Sequence, residues 1–174
     1  MTAIEFFDKT PIENIINALT TAPKKIIYIG NGNALDRGVA IYRELLEKRG
    51  IKDIELCEKR INRNDVNAIF DTLCHIVENE DELLFDLTGG DDLVLVAMGM
   101  VYEKYRDTKR IQMQRLNIES GVVSDCDNDG NLIYLGEPTL SVDECVRLHG
   151  GVIRYGSGID QTYKWNIRRI LFPI

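Results

Sequence analysis

The ten residues Leu83-Leu84-Phe85-Asp86-Leu87-Thr88-Gly89-Gly90-Asp91-Asp92 hold the densest chemistry in the chain. An apolar run ends in Thr88-Gly89-Gly90, and Leu93 to Met100 beyond it is apolar on all sides, which predicts a strand, a glycine turn and a buried helix. Bare backbone N–H groups at a helix start, together with the helix dipole, bind phosphate or another anion. The acids nearby offer a different chemistry. Asp86, Asp91 and Asp92 could pair as carboxylates for acid–base or metal work. The plainer reading, which is preferred, sets Asp91 and Asp92 at a helix N-terminus for electrostatic reasons.

Two further stretches carry partial motifs. Gly30-Asn31-Gly32-Asn33 follows a strand-like run, but the third glycine of a dinucleotide loop falls at Leu35, so that pattern fails, although Glu58 stands where a ribose-binding acid could. A ligand role and a plain polar turn both remain open for these four residues. Asp125, Asp127, Asp129 and Gly130 match the first half of a calcium loop, yet its twelfth position is Gly136 and its flanks look like strands. A hairpin turn at Asn128-Asp129-Gly130 accounts for them better. His75 and His149 have no triad signature near them, and His149 suits a helix end beside Gly150. Cys57, Cys74, Cys126 and Cys145 form no CxxC pair, so no metal site is expected and the thiols are expected to be reduced, in or near the core.

These residues need elements to position them. Ile4 to Phe7 predicts a first strand, and Thr10-Pro11-Ile12-Glu13 a helix opening with Thr10 and Glu13 as a capping box. Lys25 to Ile29 predicts a second strand and Ala34 to Arg49 a helix closed by Gly50. Ile54 to Cys57, a helix capped by Asn64 or Asp65 and running to about Val77, the central stretch, and a strand from Arg110 to Leu116 follow. Strands alternating with helices predict an α/β fold, a Rossmann-like doubly wound, mainly parallel sheet with right-handed crossovers. Its ligands would lie outside the carboxyl ends of the strands, where Asp8 to Thr10, Gly30 to Asn33 and Thr88 to Asp92 should share one edge. After about Ser120 the pattern changes to two short β-prone runs and a helix opened by the capping box Ser141-Val142-Asp143-Glu144. The expected division is residues 1–120 as the sheet domain and 121–174 as a small C-terminal hairpin-plus-helix extension.

Composition narrows the function. A chain of 174 residues with 44% hydrophobic and 28% charged content suits one globular core. No apolar stretch is long enough for a bilayer, and Met1-Thr2-Ala3-Ile4-Glu5 lacks a secretion signal, so a cytoplasmic protein without membrane contact is expected. The net charge of -7 argues against a surface that grips duplex nucleic acid, while a small anionic ligand remains compatible with it.

Three segments in this order resemble the CARF family, the CRISPR-associated Rossmann-fold sensor domains. Asp86-Leu87-Thr88-Gly89-Gly90 before an apolar helix resembles its central motif. Thr10-Pro11-Ile12-Glu13-Asn14 resembles the Pro-Ile-x-Asn segment after strand one, and Leu140-Ser141-Val142-Asp143-Glu144 through Leu148-His149-Gly150 the segment that follows the domain in CARF–nuclease fusions. The resemblance implies a homodimer that senses a cyclic oligoadenylate across its twofold axis in type III antiviral signalling, with no cofactor. It implies ligand contacts at Asp8, Lys9 and Thr10, at Gly30, Asn31, Gly32 and Asn33, and at Thr88, Gly89 and Gly90. Asp91-Asp92 stand where the family often has Thr-Lys, and acids there repel phosphate unless they face away. No effector nuclease motif is present, so the effector is expected to be separate or missing. Two alternatives stand beside the sensor. One is a ring nuclease, in which Thr10, Asn33 and Thr88 orient the ligand and Lys9 stabilises charge. The other is an unrelated Rossmann-type nucleotide binder.

Overall fold

The computed structural model describes residues 1–7, 10–117, 122–126, 132–134 and 140–153. Parallel strands β1 (Thr2–Phe6), β2 (Lys25–Gly30), β3 (Glu55–Arg60), β4 (Glu82–Asp86) and β5 (Arg110–Asn117) alternate with helices α1 (Pro11–Thr20), α2 (Gly32–Lys48), α3 (Val66–Asn79) and α4 (Asp92–Tyr105). β6 (Val122–Asp125) and β7 (Leu132–Tyr134) follow, then α5 (Val142–Leu148). The sheet order is β3-β2-β1-β4-β5-β6-β7. The chain therefore winds outward from β1 to β3, crosses back beside β1 as β4, and continues the other way. That reversal is the doubly wound arrangement expected from the alternation.

Both faces of the sheet are covered, because its central strands are apolar on both sides. Ile4, Phe6, Ile27, Ile29, Leu83 and Phe85 meet α3 and α4 on one face. Ala3, Ile26, Tyr28 and Leu84 meet α1 and α2 on the other. β6 joins β5 antiparallel and β7 joins β6, so the hairpin lengthens the same sheet. The strands around residues 127–130 are paired as a hairpin requires; the turn residues themselves lie outside the described set.

Local signals explain most element ends. Asp65 accepts hydrogen bonds from Asn67 N and Ala68 N, and Ser141 with Glu144 forms the capping box. Gly50 closes α2 at φ +75°. Three expectations need correction. Thr10 precedes α1 without a side-chain cap, because its backbone stands at φ -97°, ψ 88° and only its carbonyl is used, accepting from Glu13 N. α2 begins at Gly32, which leaves Asn31 alone between strand and helix. α4 is not buried all round: Val94, Ala97, Met98 and Val101 face the core, whereas Val96 and Met100 are exposed. An apolar composition on every side cannot say which side the sheet will cover.

Phe7 continues the β1 ladder by donating to Ile29 O, and its ring lies against Tyr42 and over Gly38 of α2. A Cβ at residue 38 would stand 2.1 Å from Phe7 Cζ. Gly38→Val should therefore destabilise the chain by about 1–3 kcal/mol through overpacking, more than the few tenths regained in helix propensity. Urea unfolding checks this. Adding Phe7→Leu should recover part of the loss, and an unchanged midpoint in Gly38→Val would contradict the contact.

Candidate functional site

The parallel pairing of β1, β2 and β4 brings their following loops to one edge of the sheet. The register Glu5↔Asp86 aligns the ends of β1 and β4, the two strands flanking the reversal. Thr10 is exposed at the start of α1. Gly30 closes β2 where a Cβ would sit 3.1 Å from Phe7 Cβ, so close packing explains that glycine. Asn31 and Asn33 are exposed, and Gly32 takes φ +70° with open space beside it. Asp8 and Lys9 lie outside the described residues.

The Thr88-Gly89-Gly90 turn is held from beneath. Asp86 Oδ1 accepts from Thr88 N at 2.8 Å and from Thr88 Oγ1, and Asp86 Oδ2 accepts from Asn17 Nδ2. Thr88 Oγ1 also accepts from Leu116 N at 2.8 Å. The Thr88 hydroxyl is thus committed to the turn and to β5. Gly90 stands at φ +147°, a region L side chains rarely adopt, with Leu95 Cδ2 3.1 Å from the position of a Cβ. Asp91 and Asp92 occupy the N-cap and first turn of α4, as the electrostatic reading expects. Asp91 does not cap with its side chain; it accepts from Arg63 Nη2 at 3.0 Å. Its negative charge is therefore turned toward a cation.

Asp86 belongs to a buried polar row that the sequence did not announce. Tyr28, Glu5, Asp86 and Gln114 are cross-strand neighbours on β2, β1, β4 and β5, all buried beneath α1. From α1, Asn14 Nδ2 donates to Phe6 O at 2.7 Å, and Asn17 Oδ1 accepts from Gln114 Nε2. Tyr28 Oη donates to Asn14 O at 2.8 Å. Neither oxygen of Glu5 has a hydrogen-bond partner among the described residues. Burial, and then the charge of Asp86, push the Glu5 carboxyl well above its ordinary value. Burial also raises Asp86, while its bonds from Thr88 and Asn17 pull it back. The one available signal was Glu5 itself, an acid inside the apolar run Ala3-Ile4-Glu5-Phe6-Phe7 of a central strand.

Other features lie elsewhere. A cavity of about 250 Å³ opens between α2 and α5, lined by Ile41, Lys48, Arg147 and Gly151 among others. It adjoins the C-terminal half of α2, away from the loops. No cluster of His, Cys, Asp or Glu that could hold a metal occurs among the described residues. No disulfide joins the four cysteines, of which Cys126 is exposed and Cys74 and Cys145 are buried. His149 ends α5 as expected, with Nδ1 2.8 Å from Cys145 O. No described helix is long and apolar enough to cross a membrane.

No family model and no curated protein matches the sequence. Solved structures match the fold. Can2 from Sulfobacillus thermosulfidooxidans in complex with cyclic tetra-adenylate superposes with a TM-score of 0.72 at 19% identity, over 86% of this chain and 41% of that one. Protein VC1899 from Vibrio cholerae gives 0.69 at 17% identity, over 84% and 38%. A type III CRISPR defence DNA nuclease activated by cyclic oligoadenylate gives 0.61 at 11% identity, over 85% and 23%. The chain spans less than half the length of each. These likenesses show the fold, a Rossmann-like doubly wound α/β sheet shared with those structures.

Two tests probe the buried row. A carboxyl whose folded pKa is raised adds stability that is present below its unfolded pKa and lost as pH rises through the folded one. Stability should accordingly fall as pH rises above the ordinary carboxylate range, and Glu5→Gln should flatten most of that fall, measured by urea midpoints between pH 5 and 8. Equal slopes in parent and variant would remove Glu5 from the account. Separately, Thr88→Ala strips Leu116 N of its acceptor and should cost about 1–3 kcal/mol, whereas Thr88→Ser should cost less.

Proposed function

We propose that this chain is a sensor domain that binds a cyclic oligoadenylate in type III CRISPR defence. The observation carrying the proposal is the Thr88-Gly89-Gly90 turn at the point where the sheet order reverses, within a fold like that of Can2, whose structure holds cyclic tetra-adenylate. Ligands of open α/β sheets bind at that point. The turn presents backbone at a helix start, its geometry is built by Asp86 rather than by the ligand, and the nearest acid is engaged by Arg63. Thr10, Gly30, Asn31, Gly32, Asn33, Thr88, Gly89 and Gly90 are the proposed contacts, with Asp8 and Lys9 in the loop after β1.

The sensor acts as a homodimer in this reading. Val96 is 53% and Met100 44% exposed on the outer face of α4, and Gly99 beside them is open to close approach. A cyclic ligand with internal symmetry matches an isologous interface, and α4 starts at the ligand turn. A cytoplasmic setting suits four cysteines outside any disulfide.

Calorimetry with cyclic tri-, tetra- and hexa-adenylate, against NAD and S-adenosylmethionine as controls, tests the reading. One ring should bind with one ligand per two chains and be recovered intact, and Gly90→Val should abolish that binding. Heat with NAD and none with any ring would favour the unrelated nucleotide binder. Recovery of linear products would instead make the chain a ring nuclease. Sedimentation should show a dimer at micromolar concentration that Val96→Asp shifts to monomer.

A further inference from the structure

The guanidinium of Arg63 reaches the reversal point of the sheet, although the residue belongs to the loop after β3, which is separated from β4 by both β2 and β1. Its Cζ lies 5.1 Å from the ring centroid of Phe6, at the end of β1. Its Nε and Nη2 donate to Asp91 at 3.2 and 3.0 Å, in the segment after β4. One cation therefore touches both walls of the crevice where ligands of such sheets bind.

The contact with Asp91 leaves much of that cation unused. Both nitrogens fall on the single oxygen Oδ2. A guanidinium fork is matched best by an acceptor offering two oxygens side by side, as a phosphodiester does. The side chains of Arg63 and Asp91 are 40% and 30% exposed, so the pair is screened by solvent and contributes little to stability. Arg60, the neighbouring cation, is directed instead to Asp36 of α2.

We propose that Arg63 is a specificity-determining ligand contact: it exchanges Asp91 for a phosphodiester of the bound adenylate ring, with Asp91 as its resting partner. This inference rests on the sensor reading above. It also accounts for an acid directly after Gly90. Asp91 holds the cation at the crevice in the absence of ligand and opposes its transfer by attraction alone.

The alternative is a structural tie, in which the pair merely fastens the loop after β3 to α4. The two differ in the sign of one effect. If the pair is a tie, Asp91→Asn loosens the loop and weakens binding. If Asp91 is a restraint, Asp91→Asn frees Arg63 and tightens binding. Calorimetry with the ring that the parent binds, among cyclic tri-, tetra- and hexa-adenylate, decides between them at two salt concentrations. Arg63→Ala should weaken binding about tenfold or more and flatten its salt dependence. Asp91→Asn should tighten it about threefold. Arg63→Lys, which keeps the charge and loses the fork, should bind more weakly than the parent at an unchanged melting temperature. Weaker binding in Asp91→Asn, or unchanged affinity in both Arg63 variants, overturns the inference while leaving the sensor reading intact. Failure of the parent to bind any ring overturns that reading, and the inference with it.

Discussion

Asp86 is the hinge between the core and the candidate site. One carboxylate receives the Thr88 backbone, the Thr88 hydroxyl and the Asn17 amide, and so joins β4, its glycine turn and α1. A buried carboxylate survives only when hydrogen bonds replace the water it loses. Asp86 has them. Glu5, its neighbour on β1, has none among the described residues and stays protonated well above the ordinary carboxylate range. A second full charge beside Asp86 would repel it across adjacent strands and loosen the turn it supports.

This dependence explains why α1 is polar on its inner face. Asn14 and Asn17 are buried where an amphipathic helix normally places aliphatic residues. Ile15 and Ala18 beside them supply the apolar packing, while the two amides serve the sheet: Asn14 takes the free carbonyl of Phe6, and Asn17 bridges Asp86 and Gln114. Replacing the amides by aliphatic side chains would leave the acceptors beneath them without donors, which is the costly half of deleting a buried hydrogen bond.

The parts of the fold that follow from local chemistry were legible in the sequence. Continuous apolar runs marked β2 and β4, Asp65 and Ser141 marked helix starts, and the alternation of strands and helices led to the right layer arrangement. What local chemistry does not contain was not legible. The row Tyr28, Glu5, Asp86 and Gln114 exists only once four strands, far apart in the chain, are in register. Thr10 has the right residue type for a cap, but its backbone, leaving β1 for α1, does not bring its hydroxyl to the helix donors. Arg63 sits in a loop with no motif, and its reach to Phe6 and Asp91 depends on β4 crossing back beside β1.

The two faces of α4 bring these points together. Its inner residues Val94, Ala97, Met98 and Val101 pack against the sheet and α3, fixing the helix start beside Gly90. Its outer residues Val96 and Met100 leave apolar surface in water, which a monomer gains nothing by displaying. Covering that face with a second copy would place two N-termini of α4, and two glycine turns, near a common axis. A ligand spanning both turns would then stabilise the same interface that creates its site, so dimerisation and binding would be thermodynamically linked. In that arrangement each chain supplies half of the anion-binding backbone. The acid beside each turn would oppose the ligand's charge, and Arg63, its partner in the unliganded chain, is the nearby cation that offsets it.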